Sequence, residues 1–279
     1  MRPHLNGPAA DPSNDSPGER RARLLERLQR TAAGVRSAPL SFAQQRLWFL
    51  EQLGTAGRAY TLPAAVRLAG PLNADALEAA LAEVVRRHEA LRTRFTVLDG
   101  EAVQVVVPAG GWHLDRVDLS GWPAEDRGAE ARRRAEEETR REFDLKCGPL
   151  FRAVLWRLGE EEHVMELTMH HIVGDGWSLG VLFREVSALY GAFLCGAGSP
   201  LPDLPVQYAD YAVWQRRLLS GERLERELAY WRECLAGAPA VLELPGDRPR
   251  PAEQSHRGAH ASFEVEAGLA EELRALGAH

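Results

Sequence analysis

The sequence is poor in the features that mark several large classes of protein. Its 279 residues include three cysteines, Cys147, Cys195 and Cys234, which are widely spaced and form no CxxC pair. This odd number favours reduced thiols over a disulfide framework and predicts a cytoplasmic protein. No apolar run is long enough to span a bilayer, and the N-terminus lacks the apolar core of a signal peptide. We therefore expect neither a membrane partner nor export.

Positive charge and nucleotide-binding strings are also missing. The net charge at pH 7 is -6, which provides no basic surface for nucleic acid, so no nucleic-acid partner is expected. The strings GxGxxG and GxxxxGK[ST] are absent, and no internal repeat is present. The hydrophobic content of 45% is sufficient to bury a core. These observations predict a globular protein without a dinucleotide or P-loop site.

The N-terminal residues differ in composition from the rest of the chain. Residues 1–18 hold four prolines among polar residues and glycine, which predicts a disordered leader. Residues 19–36 contain a basic helix with a thin leucine stripe. We interpret this segment as a linker or docking helix.

Periodicity and cap signals predict the elements that follow. Ser41 and Gln44 form a capping-box signature that starts a helix, which Gly54 ends. Asp99 and Gly100 separate two β-branched runs, as in a tight hairpin. The remaining elements are helices at 77–88, 125–143, 178–194 and 208–231, strands at 151–157 and 163–169, an extended crossover at 244–258, a strand near 261–265 and the start of a last helix.

Residues 169–178, MHHIVGDGWS, connect the second of these strands to the helix after it. Successive strand residues point to opposite faces, so His170 and His171 cannot both face one reaction centre. A neutral imidazole, with a pKa of about 6.5, suits a general base or a hydrogen-bond acceptor. Asp175 lies between Gly174 and Gly176, where it either forms a turn or a helix N-cap, or binds an arginine and holds the loop.

Two other readings of this segment compete with a histidine site. Gly176, Ser178 and Gly180 spell GxSxG, the nucleophile elbow of serine hydrolases, but Ser178 follows the strand only after several residues. A helix N-cap is the simpler role for Ser178. A metal site that combines His163 with the neighbouring histidines and Asp175 is disfavoured, because adjacent strand histidines diverge. We expect no metal.

The segment MHHIVGDGWS resembles the HHxxxDG signature of the condensation domains of nonribosomal peptide synthetases, which are relatives of chloramphenicol acetyltransferase. Three further segments resemble the family's other N-terminal signatures in the family's order: LSFAQQRLWFL at 40–50, RRHEALRTRF at 86–95 and YADYAVWQR at 208–216. YWRECLAGAP and LPGDRPRP extend the similarity to about Phe263. The GWS ending and QQRLWFLEQL are similar to the subtype that joins two L-residues.

The resemblance implies an α/β fold of the chloramphenicol acetyltransferase type, with a central mixed sheet flanked by helices. Residues 37–245 would be the N-terminal, donor-side lobe, and 246–279 the crossover and the start of a second lobe. Family members place the active site between two lobes. The resemblance therefore implies that this chain is an incomplete fragment, inactive by itself.

The implied activity is amide bond formation between two carrier-bound substrates. The amine of an aminoacyl acceptor attacks the thioester of a donor, and both acyl groups arrive on the phosphopantetheine arms of peptidyl carrier proteins. A neighbouring adenylation domain is a further implied partner, and no cofactor is bound directly. The alternatives are a CoA-dependent acyltransferase of the same superfamily, a GxSxG hydrolase and a non-catalytic binding lobe.

The resemblance also assigns roles to individual residues. His171 is implied as the catalytic group, either as a base or as the group that orients the amine. Gly176 would give its backbone N–H to the developing oxyanion or allow close approach. Supporting roles fall to further side chains. These are His170 and Asp175 as structural groups, Arg87 and Arg92 as candidate partners of Asp175, and Trp177 as a packing residue.

Overall fold

The computed structural model describes residues 35–54, 57–242, 245–246, 261 and 263–278. The chain divides into two compact units, Met1–Ala238 and Pro239–His279. The predicted leader, the basic helix and most of the predicted crossover lie outside the described residues. No helix within the described ranges combines the length and the apolar character that crossing a membrane requires.

The first unit contains all the strands of the described residues. The strands and helices in chain order are β1 (Arg36–Pro39), α1 (Phe42–Gln52), β2 (Thr61–Ala69), α2 (Ala74–Arg87), β3 (Thr93–Leu98), β4 (Glu101–Val106), β5 (Asp115–Asp118), α3 (Ala124–Arg140), β6 (Phe151–Arg157), β7 (Glu162–His170), α4 (Gly176–Leu194), α5 (Tyr208–Leu218) and α6 (Gly221–Cys234). Helix α7 (Ala267–Gly277) belongs to the second unit. The strands form a three-stranded sheet, β1-β4-β3, and a four-stranded sheet, β2-β7-β6-β5.

The four-stranded sheet is mixed, and β7 lies inside it. Strand β7 pairs antiparallel with β2 and β6, whereas β5 pairs parallel with β6. Every residue from Met165 to His170 is buried, as expected for a strand covered on both faces. Strand β2 contains Pro63, which is tolerated because β2 is an edge strand and one side of its backbone needs no partner.

Helices cover both faces of this sheet. The residues of β6 alternate between two apolar clusters: Phe151, Ala153 and Leu155 pack with α2 and α4, whereas Val154 and Trp156 pack with Ala131 of α3. Leu167 of β7 is fully buried in the first cluster, and burial of such a side chain stabilises the fold by roughly 1.5–3 kcal/mol. The predicted architecture, a central mixed sheet flanked by helices, is confirmed.

Two local predictions are confirmed in detail. Ser41 caps α1, and its hydroxyl accepts a hydrogen bond from the Gln44 N–H while the Gln44 side chain accepts one from the Ser41 N–H. Asp99 and Gly100 have φ values of 52° and 83° between β3 and β4. The tight turn requires this left-handed backbone, which glycine and aspartate tolerate better than most residues.

Two predictions about the C-terminal part are wrong. The helix expected at 208–231 is divided into α5, which ends at Leu218, and α6, which begins at Gly221. Gly221 has a φ of 54°, which the interior of a continuous right-handed helix does not contain. The strand expected at 261–265 is not found at residues 261 and 263–265. A strand needs a hydrogen-bonded neighbour, and the periodicity of a segment does not provide one.

Candidate active site

The motif HHxxxDG occupies the connection from the central strand to a long helix. Strand β7 ends at His170, and α4 begins at Gly176. The His171 N–H donates to the Tyr60 carbonyl at 2.7 Å, and the Val173 N–H donates to the His170 carbonyl at 3.0 Å. The connection is therefore a turn that is held by a hydrogen bond within it and by a second one to Tyr60, the residue that precedes the edge strand β2.

The two histidines diverge as the strand alternation predicts. His170 is buried, and its Nδ1 accepts a hydrogen bond from the Ile172 N–H at 3.1 Å. Burial, together with the nearby His171, lowers the pKa of His170 to about 4. His171 is exposed, and its imidazole makes no hydrogen bond to another described residue. His170 is therefore a neutral structural group, and His171 presents a free imidazole.

Asp175 is the N-cap of α4. Its Oδ1 accepts hydrogen bonds from the Ser178 N–H at 2.8 Å and from the Ser178 hydroxyl at 2.7 Å, and the Asp175 N–H donates to Ser178 Oγ at 3.2 Å. These bonds from Ser178 lower the pKa of Asp175. The prediction that Ser178 is the N-cap is wrong. It occupies the third helical position of a capping box, because the carboxylate of Asp175 is the stronger acceptor for the first-turn N–H groups.

The predicted pairing of Asp175 with Arg87 or Arg92 is also wrong. The Arg87 side chain is buried, donates to Glu185 of α4 at 3.2 Å and reaches the Pro202 carbonyl at 2.7 Å. Arg92 donates to the Val107 carbonyl at 2.5 Å. Asp175 lies exposed at the start of α4, where its oxygens serve the helix terminus. Arg87 instead ties α2 to the middle of α4.

Gly174, Gly176 and Trp177 differ in how closely other residues surround them. A Cβ atom on Gly174 would lie 2.6 Å from Sδ of the buried Met169, so any side chain at this position would force Met169 to shift. A Cβ on Gly176 would meet nothing within 4 Å, so nothing in the described residues requires a glycine there. Trp177 is 82% exposed, so the described residues cover little of it, and its packing role stays a prediction.

A cavity of about 240 Å³ contains His171. Its polar lining comes from four parts of the sequence: Arg46 of α1, Tyr60, Asp175 and Ser178 of the motif, and Tyr208 of α5. The Tyr208 hydroxyl lies 3.0 Å from the Ser41 hydroxyl. Sequence reasoning singled out the segments that carry Arg46 and Tyr208 as signatures, but it assigned them no place near His171.

Two further cavities lie outside this site. An apolar pocket of about 240 Å³ adjoins it and shares Val173, Ser178 and Tyr208. A larger cavity, about 490 Å³, is lined by residues such as Trp112 and Arg141 and does not include His171. The volume of a cavity therefore does not identify the candidate active site. We assign the site to the cavity that contains the imidazole of His171.

The geometry favours histidine chemistry over the two competing readings. The Ser178 hydroxyl is bound to the Asp175 cap, and no histidine of the described residues hydrogen-bonds it, so the activating base of a serine nucleophile is missing. Within the described ranges, no group of three or more His, Cys, Asp or Glu side chains could hold a metal ion. A free imidazole beside hydroxyl groups and a guanidinium can accept a proton or orient an amine.

Comparisons with curated proteins identify relatives of this chain. One of the proteins that make up the linear gramicidin synthase of Brevibacillus parabrevis is 48% identical over 238 residues, which cover 85% of this chain and 3% of that protein. Phosphinothricin tripeptide synthetase PhsC of Streptomyces viridochromogenes is 45% identical over 240 residues, which cover 86% of this chain and 22% of that protein. The chain thus spans a small part of the length of these relatives.

Solved structures share the fold. The X-domain from teicoplanin biosynthesis is 38% identical with a TM-score of 0.72, and the alignment covers 86% of this chain and 53% of the X-domain chain. The first condensation domain of the CDA synthetase is 26% identical with a TM-score of 0.63, over 74% of this chain and 52% of that one. The chain thus spans about half the length of these structures.

The family model described as "Condensation domain" matches residues 35–279. This range includes the turn that carries His171, the capped helix α1 and both sheets. The match extends over most of the chain, and it agrees with the relatives and with the shared fold. The chain therefore belongs to the condensation domain family.

Proposed function

We propose that this chain contributes the catalytic histidine to peptide bond formation in nonribosomal peptide synthesis. One observation carries the proposal. At the end of the central strand, His171 presents a free imidazole to a cavity while its neighbour His170 is buried and neutral. The curated relatives, which include a gramicidin synthase and a tripeptide synthetase, favour the same activity.

The proposed reaction is transfer of an acyl or peptidyl group from a donor thioester to the amine of an aminoacyl acceptor. A C–N bond forms, the C–S bond breaks, and the amine proton ends on the departing thiol. His171 either accepts that proton or orients the amine. Gly176 is the first residue of α4, where backbone N–H groups and the helix dipole favour a developing negative charge.

Membership of the family supports a proposal for the substrates and partners. We propose that both acyl groups are carried on the phosphopantetheine arms of donor and acceptor peptidyl carrier proteins, with an adenylation domain as neighbour and two L-residues as the joined pair. We also propose that residues 37–245 form the donor-side lobe and that 246–279 begin a second one. The three cysteines are free and exposed, which supports a reducing, cytoplasmic location.

The test is the His171→Ala variant in a condensation domain that contains this chain. Loss of an acid or base group typically lowers the rate by roughly a hundredfold or more, so dipeptidyl product formed from loaded donor and acceptor carriers should fall by that factor. His113→Ala is the matched control, because His113 is exposed and lies outside the His171 cavity. Full condensation by the His171 variant contradicts the proposal.

Each alternative function predicts a different experimental result. A CoA-dependent acyltransferase would acylate a free amine from an acyl-CoA without carriers. A serine hydrolase would be labelled at Ser178 by a fluorophosphonate. A non-catalytic binding lobe is the second candidate, and one observation favours it: an X-domain from teicoplanin biosynthesis, 36% identical to this chain, was solved as a complex with OxyB. Such a lobe would give no product, with or without His171.

A further inference from the structure

The ring of His170 leaves one of its nitrogen atoms without a partner. Nδ1 accepts the Ile172 N–H, so it carries no proton, and the proton of the neutral ring lies on Nε2. This Nε2 is buried and has no hydrogen-bond partner within the described residues. Buried donors are nearly always paired, so an unpaired one requires an explanation.

The complementary atom lies opposite on helix α1. Oε2 of Glu51, in the last turn of α1, is also buried without a partner, and it is 4.0 Å from His170 Nε2. A donor and an acceptor therefore face each other at about 1 Å beyond hydrogen-bond range. Rotation of a glutamate side chain covers that distance, and the resulting N–H···O⁻ bond would be charge-assisted.

The ring of His170 also supports the turn that carries His171. It lies between Phe143, with centroids 6.1 Å apart, and Tyr60, with centroids 6.4 Å apart. Its Nδ1 holds the Ile172 N–H, and the Tyr60 carbonyl holds the His171 N–H. A rotation of the ring would break the bond to the Ile172 N–H and so remove one of the hydrogen bonds that hold the turn next to His171.

We propose that Glu51 is a positioning residue, whose carboxylate accepts the Nε2 proton of His170 and thereby fixes the turn that directs His171 into its cavity. Burial and then the charge of Glu142 raise the pKa of Glu51, and the guanidinium of Arg152 lies over the Phe143 ring at 3.8 Å. Glu51 belongs to the helix that also supplies Arg46 to the cavity, so α1 contributes to the site from two positions.

The experiment compares Glu51→Gln with Glu51→Met. Both variants keep the length of the side chain, but only the amide of glutamine offers an oxygen that accepts the Nε2 proton. Gln52→Ala is the control, because Gln52 is exposed on the same helix. The first readout is the Nε2-bound proton of His170 in ¹⁵N-histidine-labelled chain at pH 7, assigned with His170→Asn, and thermal melting verifies that each variant folds.

We expect the proton resonance in the wild type and in Glu51→Gln, and at least tenfold faster exchange with solvent in Glu51→Met. The kinetic readout rests on the proposed function: kcat for condensation should fall at least tenfold in Glu51→Met, with KM within twofold, and stay within threefold in Glu51→Gln. Equal effects of the two substitutions, or an unchanged resonance in Glu51→Met, would overturn the inference. Absence of wild-type condensation would contradict only the proposed function, because the resonance reports on Glu51 by itself.

Discussion

Acidification should destabilise this chain through His170. The residue is neutral in the folded state, where burial lowers its pKa to about 4, whereas an unfolded histidine titrates near its ordinary value of 6.5. Between these two values the unfolded chain binds one proton that the folded chain does not. The free energy of unfolding therefore decreases as the pH falls from about 6.5 to about 4, and this contribution is constant above that range.

The size of the effect follows from the two pKa values. One pH unit of difference corresponds to about 1.4 kcal/mol, so the change from 6.5 to about 4 amounts to roughly 3 kcal/mol. Solvent screening reduces this value little, since the side chain is 4% exposed. Typical domains have only about 5–15 kcal/mol of stability, so the loss should be readily measurable.

The assay is urea unfolding at several pH values, with His170→Asn as the matched variant. Asparagine keeps an oxygen near the position of Nδ1 to accept the Ile172 N–H, but it does not titrate. Comparison with this variant also removes the contributions of carboxyl groups, including Glu51, whose raised pKa acts in the opposite direction. The wild type should lose about 3 kcal/mol more than the variant between pH 6.5 and 4. Parallel pH profiles of the two proteins would refute the reasoning.

Two further predictions concern the turn and the helix cap. Gly174→Ala should lower the free energy of unfolding by about 1–3 kcal/mol, because its Cβ would lie 2.6 Å from Sδ of Met169. Gly176→Ala has open space around its Cβ and should change the free energy of unfolding by less than about 0.5 kcal/mol. A Met169→Ala background should reduce the cost of Gly174→Ala, and additive effects would exclude this contact as the cause. Asp175→Ala should cost only about 1 kcal/mol, as for a lost helix cap, and not the roughly 3–5 kcal/mol of a broken buried ion pair. A double-mutant cycle should show that the effects of Asp175→Ala and Ser178→Ala on the free energy of unfolding are coupled. If chemical denaturation shows the larger loss for Asp175→Ala, Asp175 has a partner other than Ser178.

The local elements were largely predictable because their signals are local. Ser41 and Gln44 indicated the start of α1, and Asp99 and Gly100 indicated the hairpin, since caps and tight turns depend on residues a few positions apart. The strands β1, β2 and β5 were missed. Two of them are only four residues long, and β2 contains a proline, so their strand character depends on neighbours that are distant in sequence.

The candidate site was predictable in part. Strand alternation predicted the divergence of His170 and His171, and the burial of the first and exposure of the second agree with it. The partner of Asp175 was not predictable. An aspartate before a helix suits both an N-cap and an ion pair, and the choice depends on whether an arginine reaches it. Arg87 does not reach Asp175, because its guanidinium is bound to Glu185 of α4.

The sequence by itself determined where α1 starts, where the hairpin turns and that the two histidines diverge, because these features depend on backbone preferences within one or two turns of chain. Only the tertiary structure decided which side chains meet. Packing of α1, α4 and α5 brings Arg46, Tyr60 and Tyr208 to the cavity of His171, and it places Glu51 opposite His170. Such contacts join residues that are far apart in the sequence, and their formation depends on how whole elements pack, which no local pattern specifies.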